Sequence, residues 1–324
     1  MRARALLWSS LVLLACSGEE GPDRSTDAAD TSGADLGDGD MTGSADTADA
    51  PVAVGECPSM TLSVVDAVDQ RRSRTLFPYQ VITADLHAPN GYPEHFHWSI
   101  TTPDGSLAPI ESEALRPLYM PTVPGHYTFR LDRLDAAGVP CAPLTRDFTL
   151  TTPSVHVVTT WRTPHYETFV PSSLDWRKPD VDLHLLHSGG DTFFDLRWDC
   201  FFDNPSPEWG ADGPDEDPEL FDLWMIDDAL EVIAVAPRSS PGSDENHRVG
   251  VHYWEDYGFG ESFATVRVYV DGVLRDTWAD VALRQGDLWE SHIIDWPSGT
   301  VTRLIDPDRG ALITPGYPVN PPPQ

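Results

Sequence analysis

Positive charge is what this chain has least of. Its 324 residues carry 21 Lys and Arg against 52 Asp and Glu, a formal net charge of −31. A field of that sign repels phosphate backbones and draws cations, which argues against nucleic acid as a partner. Nucleotide is argued against too, because the sequence has neither a P-loop nor a GxGxxG turn to cradle phosphate. The GxSxG elbow and the HExxH zinc motif are also missing, so the common hydrolase plans find no support. Cysteine is scarce: four residues, none in CxxC spacing, which excludes a zinc ribbon and a thioredoxin-like pair. No convincing amphipathic helix can be read between residues 57 and 152. What is there, 40% hydrophobic and 10% aromatic residues, is enough for ordinary cores in two domains.

At the N-terminus Arg2 and Arg4 precede an apolar stretch from Ala5 to Ala15. It is too short for a bilayer core of ~30 Å and has the layout of a secretory signal. Leu13, Leu14, Ala15 and Cys16 resemble the lipobox of bacterial lipoproteins. The resemblance implies cleavage before Cys16, acylation of that residue and attachment to a membrane by more than one chain, since one acyl chain holds a protein only marginally. Ser17, rather than Asp, after the cysteine points to the outer membrane of a Gram-negative cell. Residues 1–15 are therefore read as a lipoprotein signal peptide and 16–52 as an acidic tether. Between 17 and 50 there are ten acids, one Arg and almost no large apolar side chain, so nothing offsets the entropy of ordering.

Residues 53–152 alternate as strands do, with frequent proline and glycine punctuation. "HFHWSITTPDGS" followed by "PTVPGHYTFRLDRLDAAG" resembles PKD-type and related immunoglobulin-like sandwiches. That resemblance implies Trp98 in the core and Tyr127 at a corner. Cys57 stands just before the first strand and Cys141 in the turn before the last, a placement that suits a disulfide in an exported protein. His95 and His97 flank Phe96 and read as a solvated strand face.

Residues 153–305 read as a second all-β unit, a jelly-roll-like sandwich, and 306–324 as a proline-rich tail. "YVDGVLRDTW" carries a hairpin signal at Asp271 and Gly272. In "DVDLHLLH" a period of two sends Val181, Leu183 and Leu185 to one face and Asp180, Asp182 and His184 to the other. The second set either lies in solvent or converges with acids of the "ADGPDEDPELFD" segment, such as Asp217 and Asp222, on a hard cation; a structural Ca²⁺ is the candidate.

The stretches "VDLHLLH", "WDCFFDNPSPEWG", "DPEL" and "VGVHYWEDYGFGESFATVRVYVDG" resemble a group of uncharacterised exported β-domains of bacterial lipoproteins, often placed after a PKD-like module. In that group an aspartate-rich loop follows the "DPEL" segment and looks built for a cation. Here "FDLWMIDDALEV" stands in its place: Leu223, Trp224 and Ile226 fall near expected acids and Glu231 holds its position. The resemblance also implies a partner for Cys200 near the end of the domain, where "HIIDWP" has no cysteine, so Cys200 is read as a buried thiol.

Nine of the 11 tryptophans lie in the second unit. Exposed Trp176, Trp209, Trp254 or Trp278 would supply stacking platforms for a glycan. Acid pairs such as Glu255 and Asp256 would be needed for a glycan hydrolase with paired carboxylates, but with 52 acids such neighbours arise by composition. The expectation is a non-catalytic, lipid-anchored binding, adhesion or scaffolding protein that meets a glycan or a surface protein.

Overall fold

The computed structural model describes residues 57, 59–66, 75–89, 92–93, 95–110, 115–135, 137–168, 177–209, 217–222, 229–237, 245–296 and 298–318. Cys16, the signal and tether at 1–52 and Trp176 lie outside the described residues, as does the side chain of Asp222.

The chain is all-β. Its first part forms β1 (Thr61–Asp66), β2 (Ile82–His87), β3 (Phe96–Thr101), β4 (Leu107–Ile110), β5 (Leu118–Tyr119), β6 (Gly125–Arg133) and β7 (Leu144–Leu150). These pair antiparallel into a three-stranded sheet, β1-β2-β5, and a four-stranded sheet, β4-β3-β6-β7. Alternation decides which side chains meet between them: along β6, Tyr127, Phe129 and Leu131 are buried at every second position. They share a core with Trp98 and Ile100 of their own sheet and with Ile82, Ala84 and Leu86 of the other. Trp98 is fully buried with its edge toward Phe129 at 6.4 Å. The Tyr127 hydroxyl donates to the Val123 carbonyl at 2.7 Å, which closes the corner into β6. A disulfide joins Cys57 to Cys141.

The second part forms β8 (Val155–Arg162), the single turn α1 (Pro164–Glu167), β9 (Asp180–His187), β10 (Asp199–Cys200), β11 (Pro218–Asp222), β12 (Leu230–Val235), β13 (Glu245–Glu255), β14 (Ser262–Val270), β15 (Val273–Leu283), β16 (Leu288–Trp296), β17 (Thr300–Arg303), β18 (Ile305–Asp306) and β19 (Gly310–Thr314). A five-stranded sheet, β11-β12-β8-β14-β15, faces a seven-stranded one, β10-β9-β13-β16-β19-β18 with β17 also on β16. Val155, Val157, Val266 and Val268 from the first meet Val181, Leu183, Val251, Tyr253 and Trp289 from the second. Asp271 and Gly272 join β14 to β15 with φ of 51° and 73°, the left-handed pair that a two-residue hairpin requires.

The tail is corrected by the structure. The chain from Asp306 onward is not irregular throughout: β19 pairs with β16, Thr314 opposite Leu288 and Leu312 opposite Glu290. Pro307 sits in the turn between β18 and β19, where its missing N–H costs no ladder bond. Ala311 and Ile313 then pack on the core.

The two sandwiches also touch through an apolar junction. Phe77 and Val81, with Tyr79 and Met120 beside them, pack on Val158, Phe221, Leu230, Val232 and Ala234 of the five-stranded sheet. This explains "LEVIAV" in β12, in which all six residues are buried and all but Glu231 are apolar: such a run suits a strand covered on both faces. His156 lies at this junction, between the rings of Tyr79 at 5.5 Å and Tyr269 at 5.6 Å, and its Nε2 is buried without a hydrogen-bond partner.

Burial pulls the His156 imidazole from its usual 6.5 down to about 4. Below pH 6.5 the unfolded chain therefore takes up a proton that the folded chain refuses. Stability from this group is complete above pH 6.5 and falls as the pH drops toward 4, by about 3 kcal/mol in all. Chemical denaturation at pH 7 and pH 4.5 should show this loss, and His156→Phe should flatten the part of the pH dependence between those values. An unchanged slope in that variant would assign the effect to another group.

Candidate functional site

The site grows from the outer face of the seven-stranded sheet. In the β9–β13 register Asp182 stands opposite His252 and His184 opposite Gly250, so these side chains share one face, away from the valine core. The reading of this face as lying in solvent is corrected for all but Asp180. Seven of the eight residues of β9 are buried, because the segment between β9 and β10 and the residues just after β10 fold back over the sheet. Phe193, Phe194 and Phe201 form a second small core there with Leu186 and Leu288. Gly250 makes that approach feasible, since a Cβ at this position would stand 2.6 Å from Phe193 Cε1.

Beneath this cover His184 is fully buried, and its Nδ1 lies 2.7 Å from Asp199 Oδ2. The same oxygen accepts the Phe194 N–H at 2.7 Å. One carboxylate thus holds the imidazole and the Phe194 backbone together, with Phe194 in the left-handed region at φ 66°, a conformation bulky residues adopt only when their surroundings impose it. Burial raises the Asp199 carboxyl above the usual range, and the neighbouring His184 pulls it back in part. The His184 ring stacks on Phe201 at 5.1 Å and meets Phe194 edge-on at 4.6 Å.

Above these groups opens a recess of about 130 Å³ lined by Asp180, Asp182, Asp203, Phe194, Phe201, Phe202 and Trp254. Trp254 is 43% exposed and Phe202 58% exposed. Asp182 is the deepest acid, its side chain only 10% exposed, with His252 Nδ1 at 4.0 Å. His252 is itself buried, and neither of its ring nitrogens has a hydrogen-bond partner. Three carboxylates and four aromatic rings in one opening can attract a cation and hold an apolar stem. They contain no nucleophile and base in hydrogen-bond contact.

Of the residues expected to hold Ca²⁺, those whose side chains are described are dispersed. Asp180 and Asp182 line the recess, whereas His184 faces Asp199. Glu231 accepts the Leu183 N–H at 2.5 Å and Asp217 the Trp209 N–H at 2.8 Å. Among the described residues no group of three or more His, Cys, Asp or Glu side chains is placed to hold a metal ion.

The tryptophans separate in the same way. Trp254 is at the recess, but Trp209 is buried and stacked on His247 at 5.3 Å, which corrects its reading as an exposed platform. Trp278 meets Trp289 edge-on at 5.2 Å and lies under the Arg303 guanidinium at 5.1 Å. Arg303 in turn donates to both oxygens of Asp276, at 2.5 and 2.8 Å, and Trp278 belongs to that structural cluster. Cys200 is a buried free thiol, pushed well above its usual range by burial, so it is inert rather than nucleophilic.

Asp203, Phe194, Phe201 and Phe202 were not expected in the site. Their signal was in the sequence, in the doublets Phe193-Phe194 and Phe201-Phe202, which are too apolar for a segment left in solvent. A scan against protein-family models and a search of curated proteins find no match to this chain.

Proposed function

We propose that the chain is an exported, lipid-anchored binding protein, without catalytic activity, that meets its partner through the recess on the seven-stranded sheet. The observation that carries this reading is the recess itself, in which a half-exposed Trp254 and an exposed Phe202 stand beside Asp180, Asp182 and Asp203. Aromatic rings beside fixed polar groups in a concave opening are what ligand sites are made of. The lipobox around Cys16 and the acidic segment after it support a place at the outer membrane, where the tether holds the sandwiches off the bilayer. A carbohydrate ligand is the second reading, favoured by the exposed Trp254 ring, a surface on which a sugar can stack.

The experiment is crosslinking on intact cells with the full-length chain, read beside a glycan array. Trp254→Ala is expected to remove the crosslinked partner, or the array signal, while leaving the thermal midpoint within the ordinary range for a surface change. Crosslinking that survives Trp254→Ala would place the contact elsewhere on the molecule. Separately, Cys16→Ser should move the protein out of the membrane fraction, and retention there would refute the anchor.

A further inference from the structure

We infer that the recess takes a primary alkylammonium group, the chemistry of a lysine side chain on a partner; the inference rests on the proposal that this recess is the binding site. Asp182 carries the argument. Its side chain is nine-tenths buried, it opens into the recess, and among the described residues its ion-pair contact is with His252 Nδ1 at 4.0 Å, beyond hydrogen-bond reach. A carboxylate mostly withdrawn from water with no hydrogen-bond donor among the described residues is unfavourable, so the position favours a ligand that brings N–H groups. His252 does not meet that need, since among the described residues both of its nitrogens are without hydrogen-bond partners.

The walls choose among cations. Trp254, Phe194 and Phe201 present aromatic surface, which attracts organic ammonium groups and cannot replace the oxygen shell of a hard metal ion. A primary ammonium has three donors, enough for Asp182 together with Asp180 or Asp203, which line the same opening. A quaternary ammonium has none and would leave Asp182 unsatisfied. The volume agrees: about 130 Å³ is well below the ~300 Å³ at which pockets for whole drug-sized ligands begin, and suits the end of one side chain. Among the described residues no Lys or Arg lines the recess, and the net charge of −31 raises the local concentration of any cation.

The test is calorimetric titration of the detergent-solubilised full-length chain with Nα-acetyl-lysine methylamide, its Nε-trimethyl and Nε-acetyl derivatives, and CaCl₂. The lysine derivative is expected to bind saturably. Asp182→Asn should weaken it at least tenfold and Asp203→Asn, at the exposed rim, by a smaller factor; near-ultraviolet circular dichroism serves as the check on folding. The acetyl derivative, which has lost its charge, should not bind, and the trimethyl derivative should bind more weakly than the primary amine. Equal or tighter binding of the trimethyl derivative would overturn the donor argument. Displacement of lysine by calcium would overturn the choice of cation, and silence from every amine would overturn the inference as a whole. The crosslinking result with Trp254→Ala is independent of these titrations, so a binding site for some other ligand would still be seen if the ammonium reading fails.

Discussion

Asp199→Ala is expected to destabilise the protein by about 3–5 kcal/mol, the range for removing one member of a buried polar pair. The carboxylate is fully buried and serves two donors at once, His184 Nδ1 and the Phe194 N–H, both at 2.7 Å. Alanine strands both of these groups away from water and removes what holds Phe194 in its left-handed conformation. Asn at this position keeps an acceptor for both donors but puts an amide NH₂ where Asp199 Oδ1 now stands without a partner. It should fall between wild type and alanine, separating the loss of charge from the loss of the hydrogen bonds. Urea denaturation followed by circular dichroism measures both. A loss below about 1 kcal/mol for alanine would mean that water enters beneath Phe193 and Phe194 and satisfies the stranded groups. Because Phe194 also lines the recess, binding of the proposed ammonium ligand should weaken along with stability.

Removing the disulfide is expected to cost a similar amount. Cys57 and Cys141 are 84 residues apart in sequence, and closing a loop of that length restricts the unfolded chain by about 4.5 kcal/mol at 25 °C in the chain-entropy description. The double variant Cys57→Ser, Cys141→Ser should show this as a lower denaturant midpoint, and wild type with reductant should reproduce it. Cys200, buried and free, does not offer a competing partner. If the variant loses less than about 1 kcal/mol, the unfolded chain is already restrained between these positions.

Strand periodicity made much of this architecture legible. The alternation in "VDLHLLH" sends Val181, Leu183 and Leu185 into the core, and "VDGV" forms the hairpin at Asp271 and Gly272. Period-two reasoning separates two faces of a strand, but it does not tell what covers each of them. For β9 the second face was open to two readings, solvent or cation; its His184 lies under phenylalanines that follow in the next segment, while Asp180 and Asp182 line the recess. The excess of tryptophan has a comparable explanation. Trp209 stacks on His247 and Trp278 under Arg303, pairings between residues distant in sequence that no local pattern reveals. Asp203 came into the site for the same reason, since only the fold of the segment around β10 carries it to Asp180 and Asp182.

The junction of Phe77 and Val81 with β12 has a mechanical meaning. Sandwiches joined by a bare linker swivel freely, and relative motion is the default unless an apolar contact removes it. Here that contact is present, so a force applied at the recess would not be spent on reorienting one sandwich against the other. It would pass as load through the buried strand β12 into the sandwich that the Cys57–Cys141 bond closes.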